Sequence, residues 1–245
     1  MDFKTPAKAS MSQMIESQMK RWEVDQKKKY KKPIRPVITM SRLPGSGAWF
    51  LARRLAEELK IDYFDREIIE EVAKSAKVSK RLISTLDEQD RGILDDWIDA
   101  LGDRHVWPDE YINHLTKVVG TVGAHGHAII VGRGASFIIP PEVSLRVLVV
   151  APLEVRINNV AAWFKISKEE AKTRLTRVES GRNTFIRKYF RADPTDPVHY
   201  DLVINTQNFD LEAATRIVKE AFNARQWYDY SIRWHDYSVE DIKKK

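Results

Sequence analysis

Pro36 to Phe50 reads as a short apolar strand, a turn carrying Gly45 and Gly47, and then a helix. A strand that ends in a Gly-rich turn and resumes as a helix commits this part of the chain to an α/β unit, because the helix must pack back onto the sheet. The same turn is an anion site. At a helix N-terminus the unbonded N–H groups and the positive end of the helix dipole favour negative charge. The general phosphate-loop pattern G-x-x-x-x-G-K-[ST] adds a lysine for the β- and γ-phosphates and a hydroxyl for Mg²⁺. Here Ala48 stands in the lysine position, Trp49 in the hydroxyl position and Arg42 in that of the first glycine. Ser41, Gly45, Ser46, Gly47 and Ala48 are therefore candidate phosphate-binding residues that act mainly through the backbone. Arg42 is a candidate catalytic cation inside the loop, although a planar guanidinium is no simple substitute for an ammonium. The plainer readings are ordinary turn chemistry for the glycines and a surface Arg42 paired with a carboxylate.

With 245 residues, 43% of them hydrophobic, the chain can bury one sizeable core. After the strand at 36–40 the pattern alternates. Helices are expected at 48–60, 66–75, 78–101, 110–125, 152–163, 167–179 and 210–226. Extended segments are expected at 61–65, 128–131, 145–150 and 201–205. The runs Ala128 to Val131 and Leu145 to Val150 are continuously apolar, as strands buried on both faces are. Strands alternating with helices predict a three-layer α/β fold with a parallel sheet core. Residues 1–35 stand apart as an N-terminal arm. Met11, Met14, Ile15, Met19 and Trp22 recur at helical spacing, so the arm packs either on its own domain or on a second subunit as a homo-oligomer contact. Residues 36–226 are expected to form the main domain and 227–245 an aromatic and basic tail.

There is no cysteine, so a disulfide framework and a Cys-based metal site are excluded. No apolar run approaches the roughly 20 residues a membrane span requires, and no signal-peptide core is present. A cytoplasmic protein without a membrane partner is expected. The net charge of +6 comes largely from Lys27–Lys32 and the last three lysines; such runs read as solvated tails, so nucleic acid is not the expected partner. The six histidines show no metal-ligand spacing, and no G-x-S-x-G is present. No metal-ligating residue is assigned.

In open α/β sheets ligands sit beyond the carboxyl ends of the strands. Three such ends carry suitable chemistry: the loop 41–47, then Gly132, Arg133 and Gly134, then Asn205 and Thr206. Asp65 and Arg66 follow the 61–65 segment and are candidate acceptor contacts with Gly132, Arg133 and Gly134; Asp65 alternatively caps the helix that begins at 66. Arg174, Arg177, Arg182 and Arg187 surround Gly181. Clustered arginines with a Gly hinge suit a mobile lid that closes on a transferring phosphoryl group, while a solvated helix face would look similar.

Five segments together resemble the cytidylate-kinase-like family of P-loop nucleoside monophosphate kinases. They are Ile-Thr-Met-Ser-Arg-(x2)-Gly-Ser-Gly at 38–47, Tyr-Phe-Asp-Arg-Glu-Ile-Ile at 63–69, Ile-Val-Gly-Arg-Gly-Ala at 130–135, Leu-Val-Val-Ala-Pro-Leu-Glu-Val-Arg at 148–156, and Tyr-Phe-(x2)-Asp-(x2)-Asp-Pro-(x2)-Tyr-Asp-Leu-Val-Ile-Asn-Thr at 189–206. The resemblance covers about 36–225. It implies a helical insertion for the monophosphate at 66–125, a lid at 174–191, ATP as donor and a CMP- or dCMP-like acceptor. The departures are Ala48 and Trp49 in the loop, Gly134 where cytidylate kinases carry an Asp after Gly-Arg, and no strand ending in a Walker B Asp. The last departure removes a usual Mg²⁺ ligand. By analogy with losing one preorganised oxyanion donor, the missing lysine costs on the order of 10²–10³ in rate. Three readings follow: a nucleotide kinase, a non-catalytic nucleotide binder that senses or scaffolds, and an assembly protein using the arm and tail.

Overall fold

The computed structural model describes residues 8–25, 35–74, 76–102, 110–225 and 227. The Lys27–Lys32 run and the tail beyond Trp227, with the expectations placed on them, lie outside the described residues. Five strands form one parallel sheet in the order β2-β3-β1-β4-β5. They are β1 (Val37–Arg42), β2 (Asp62–Phe64), β3 (Ala128–Val131), β4 (Ser144–Val150) and β5 (Leu202–Asn205). Ile38 pairs with both Ile129 and Leu145, which places β1 at the centre.

Alternate strand residues point to opposite faces, and each face has its own core. Ile38, Met40, Ile129, Val131 and Val147 pack with Leu51 and Leu55 of α2 (Ala48–Leu59) and Val218 of α10 (Leu211–Ala224). Val37, Ala128 and Ile130 pack with α3 (Arg66–Lys74) and α6 (Glu110–His125) through Ile69, Leu115 and Val119. Helices on both faces explain the continuous apolar runs in β1, β3 and β4.

The remaining helices are α1 (Lys8–Asp25), α4 (Ala76–Ser84), α5 (Glu88–Gly102), α7 (Ala135–Ile138), α8 (Leu153–Phe164) and α9 (Lys168–Phe190). Two expectations are corrected here. The single helix expected at 78–101 is two, because Asp87 starts a new one: its carboxylate accepts from the Asp90 N–H at 2.8 Å. The helix expected at 167–179 runs on to Phe190, and Gly181 lies inside it with no break. Buried Ala171, Leu175, Ile186, Tyr189 and Phe190 hold α9 to the body on both sides of Gly181. That packing outweighs the roughly 1 kcal/mol that a mid-helix glycine costs.

Part of the apolar stripe of α1 packs within the chain, while Met14 is exposed. Ile15, Met19 and Trp22 join the α3–α6 core, and Trp22 stacks on His125 with centroids 3.8 Å apart. Arg81 holds Glu16 at 2.9 Å and Glu23 at 3.4 Å.

Candidate active site

The loop after β1 is built to turn its carbonyls away from a ligand. Gly45 and Gly47 sit at φ 85° and 84°, in the left-handed region that glycine adopts without strain. Gly45 packs so closely on α8 that an added Cβ would lie 2.8 Å from the Arg156 carbonyl oxygen. Asn159 donates to the Gly45 carbonyl at 2.9 Å, Thr206 to that of Ser46 at 2.8 Å, and Arg156 to that of Pro44 at 3.4 Å. Arg156 is itself fixed by the Ala151 carbonyl and by Glu179 at 2.7 Å. With the carbonyls anchored behind, the Ala48 and Trp49 N–H groups remain for an anion, since the helix supplies them no internal partner, whereas that of Phe50 is taken by the Gly47 carbonyl at 3.0 Å.

Two cavities open on this loop. The first, of about 300 Å³, is lined by Gly45 to Phe50, Arg53, Asp65, Arg66, Trp163, Phe164 and Arg174. The second, of about 340 Å³, is lined by Ser41, Gly132, Arg133, Gly134, Arg177, Asn183, Phe185 and Thr195. Arg42, Arg66 and Arg182 line both, so they stand where the cavities meet.

The junction is strongly cationic. Arg42 is not a surface residue: its guanidinium lies against Gly132. Burial pulls Arg42 down to about 10; Tyr63 and Asp65 oppose this and Arg66 adds to it. Burial, followed by the charges of Arg66 and Arg42, likewise pulls Arg133 down to about 10. Arg182 is held well below its usual value by burial and then by Arg42, Arg66 and Arg133; Glu179 opposes this. Arg182 donates to the Arg42 carbonyl at 3.3 Å. Glu70 pairs with Arg66 at 3.2 Å and also with Arg133, and Phe185 lies under the Arg133 guanidinium at 5.7 Å. Like charges gathered in a partly dry site raise the free energy of the empty protein, and a bound anion relieves it.

The structure thus brings together Ser41, Arg42, Gly45, Ser46, Gly47, Ala48, Asp65, Arg66, Gly132, Arg133, Gly134, Arg174, Arg177 and Arg182. Arg187 is not brought in. Its side chain is 64% exposed, pairs with Asp193 at 3.3 Å and lines neither cavity. Five residues beyond Arg182 on α9, its side chain projects elsewhere. Asp65 caps α3, accepting from Glu67 and Ile68 at 3.0 and 3.1 Å, and also borders the first cavity. Thr206 and Asn205 brace the loop and the following turn instead of lining a cavity. Sequence reasoning missed Asn159 and the bracing role of Arg156, as well as the aromatic wall of Trp163 and Phe164, where Arg174 lies over the Phe164 ring at 3.9 Å. The only sequence signal for these was the position of Arg156 at the end of the segment 148–156.

Trp49 occupies the hydroxyl position, Asp65 is committed to its cap, and no cluster of three or more His, Asp or Glu that could hold a metal occurs among the described residues. No described helix is long and apolar enough to cross a membrane.

A parallel sheet of this order, with a glycine-bearing loop after its central strand and arginines over the loop, defines a P-loop kinase-type fold. The particular family is the cytidylate kinase-like family: its model matches residues 37–208, and the chain belongs to it. A protein of Methanopyrus kandleri named cytidylate kinase is 28% identical over 197 residues, covering 76% of this chain and 93% of that one. One of Desulfurococcus amylolyticus with the same name is 31% identical over 185 residues, covering 74% and 90%. An uncharacterized protein of Eubacterium ventriosum has a solved structure that superposes with a TM-score of 0.54 at 19% identity, covering 78% of this chain and 99% of that one; it speaks for the fold alone.

Proposed function

We propose that this protein transfers the terminal phosphoryl group of ATP to a nucleoside monophosphate, CMP or dCMP being the first acceptors to try. The observation that carries the reading is the pair of cavities joined at Arg42, Arg66 and Arg182. One cavity holds the phosphate loop and the other holds Arg133, so two phosphate-bearing ligands would meet at the junction. ATP phosphates rest on the N–H groups of Gly45, Gly47 and Ala48, that of Ser46 being taken by the Leu43 carbonyl at 3.2 Å. The monophosphate is held by Arg133 and Arg177. Its phosphate oxygen attacks the γ-phosphorus, the bond to the β–γ bridging oxygen breaks, and ADP leaves with that electron pair. Arg42, Arg66 and Arg182 stabilise the charge spread over the transferring group, which is most of what such a reaction asks of a protein. Because the lid candidate is one continuous helix, closure would move α9 as a rod. The cytidylate kinase names of the relatives support CMP as the acceptor.

One observation favours a second reading, a nucleotide binder without turnover. Ala48 is only 2% exposed and packed into the core, so the lysine position holds no cation. A thermal-shift panel of ATP, GTP, CMP, dCMP, UMP and AMP with and without Mg²⁺, followed by ADP release on each binding pair, separates the two. Turnover supports the kinase, binding without turnover supports the sensor or scaffold, and a flat panel refutes both. An oligomer through α1 would have to use its outer face, where Met14 and Val24 are exposed.

A further inference from the structure

We propose that Arg53, one turn beyond Trp49 on α2, supplies the donor-phosphate cation that Ala48 cannot, with the Trp49 and Tyr63 rings as its clamp; this rests on the reading of the first cavity as the ATP site. Arg53 lies five residues past the lysine position, about 7.5 Å along the helix axis. Long helical side chains lean toward the helix N-terminus, which returns its guanidinium toward the loop. The guanidinium carbon sits 4.4 Å from the Trp49 ring centroid and 5.0 Å from that of Tyr63. Arg53 lines the first cavity with Gly45 to Ala48. Trp49, the residue that displaced the Mg²⁺-binding hydroxyl, is thereby the platform that aims a cation, since an aromatic face holds a guanidinium without neutralising it.

A second, independent observation points to a ligand. Buried polar groups are nearly always hydrogen-bonded, and those that are not call for an explanation. Among the described residues, Arg53 Nε and Ser46 Oγ are each buried without a partner, and both residues line the first cavity. Ser46 is in the loop, and the Tyr63 hydroxyl, which bonds to Arg53, steadies the guanidinium. Both unpartnered groups can donate a hydrogen bond, so the missing partner is an oxygen-rich acceptor. A polyphosphate fits, since it offers several acceptor oxygens to both donors at once. Arg53 stands on the donor side, while Arg42 lies against Gly132 at the junction; the two cations therefore serve different phosphates. Packing alone would account for the ring contacts but not for the two unsatisfied donors.

The test measures binding of ATP, tripolyphosphate and adenosine to the full chain by calorimetry, with steady-state kinetics where turnover exists. Arg53→Gln should weaken ATP and tripolyphosphate by at least tenfold, leave adenosine within twofold, and raise the KM for ATP but not for the acceptor. Arg53→Lys should recover at least a third of the lost affinity. Arg53→Met keeps the stem on Trp49 and serves as the second neutral variant should the glutamine form not fold, as thermal unfolding of the free protein would show. If the wild type binds ATP and a folded neutral variant binds it equally well, this inference is overturned and the proposed function stands. If the wild type binds neither ATP nor tripolyphosphate, both fall.

Discussion

Arg42→Met should make the empty protein more stable and its hold on ATP weaker. Burial pulls the Arg42 guanidinium down to about 10, with Tyr63 and Asp65 opposing and Arg66 adding to the shift. Relative to the usual arginine value this gap is worth on the order of 3 kcal/mol. It is an upper limit, because the cavity leaves part of the side chain in reach of water. Methionine fills most of the same volume without the charge, and such replacements of buried charges are often neutral or stabilising by about 1–4 kcal/mol. A net gain of about 1–2 kcal/mol is expected, which in a chain of this length raises Tm by roughly 2–8 °C. The folded-state value is depressed, so the penalty is fully present below about pH 10 and is relieved only as pH rises through that value. The gain should therefore be constant between pH 7 and 9. On the binding side, losing a charge-assisted bond to phosphate costs about 1.5–3 kcal/mol, or roughly 10- to 150-fold in Kd. Urea unfolding with and without saturating ATP measures both effects. A variant that loses more than 1 kcal/mol when empty yet keeps its full ATP-dependent stabilisation would refute the argument that the arginines are assembled at the expense of stability for an anion.

Three further outcomes are expected. Gly45→Ala should lower stability by about 1–3 kcal/mol and abolish the nucleotide-induced Tm shift, because its φ is 85° and the new Cβ meets the Arg156 carbonyl oxygen; an unchanged melt and shift would contradict the loop geometry. Asp201 accepts from the Arg146 N–H at 2.8 Å, from the Arg146 guanidinium at 2.8 Å and from Arg225 at 2.7 Å. Burial pushes its carboxyl up, but the Arg146 bonds and the charges of Arg146 and Arg225 hold it below the usual carboxylate range. Its contribution is thus present above the unfolded-state value and lost as pH falls through the lower folded one. Asp201→Asn should cost about 1–3 kcal/mol at pH 7 and flatten the acid limb of the stability curve, and a curve parallel to wild type would refute this. Arg187→Ala should leave turnover within twofold, since its exposed pair with Asp193 is worth little; a tenfold loss would place it back at the site.

Local patterns carried far in this chain. The apolar run into Gly45 and Gly47 specifies strand, loop and helix from neighbouring residues alone, and the β3 and β4 runs announce a sheet covered on both sides. The Asp65 cap was legible because capping is a local hydrogen bond. Gly181 misled because glycine's preference is worth about 1 kcal/mol, whereas the contacts that keep α9 straight come from distant parts of the chain. The Asp87 cap was a readable signal, masked by helical periodicity on both sides of it.

The arginines divide the two kinds of information most sharply. Their number near the loop and in 174–187 is plain in the sequence, but which of them converge is not. A guanidinium sits at the end of several rotatable bonds, so helix phase and packing decide whether it meets its neighbours or, like Arg187, turns to solvent. The sequence alone determined a parallel α/β fold with a glycine-bearing loop that lacks the phosphate-loop lysine, because strand, turn and helix preferences act between residues a few positions apart. Only the tertiary structure decided that Arg42, Arg66 and Arg182 join two cavities and that Trp49 carries Arg53 over the loop, because those placements depend on how α2, α3 and α9 sit on the sheet.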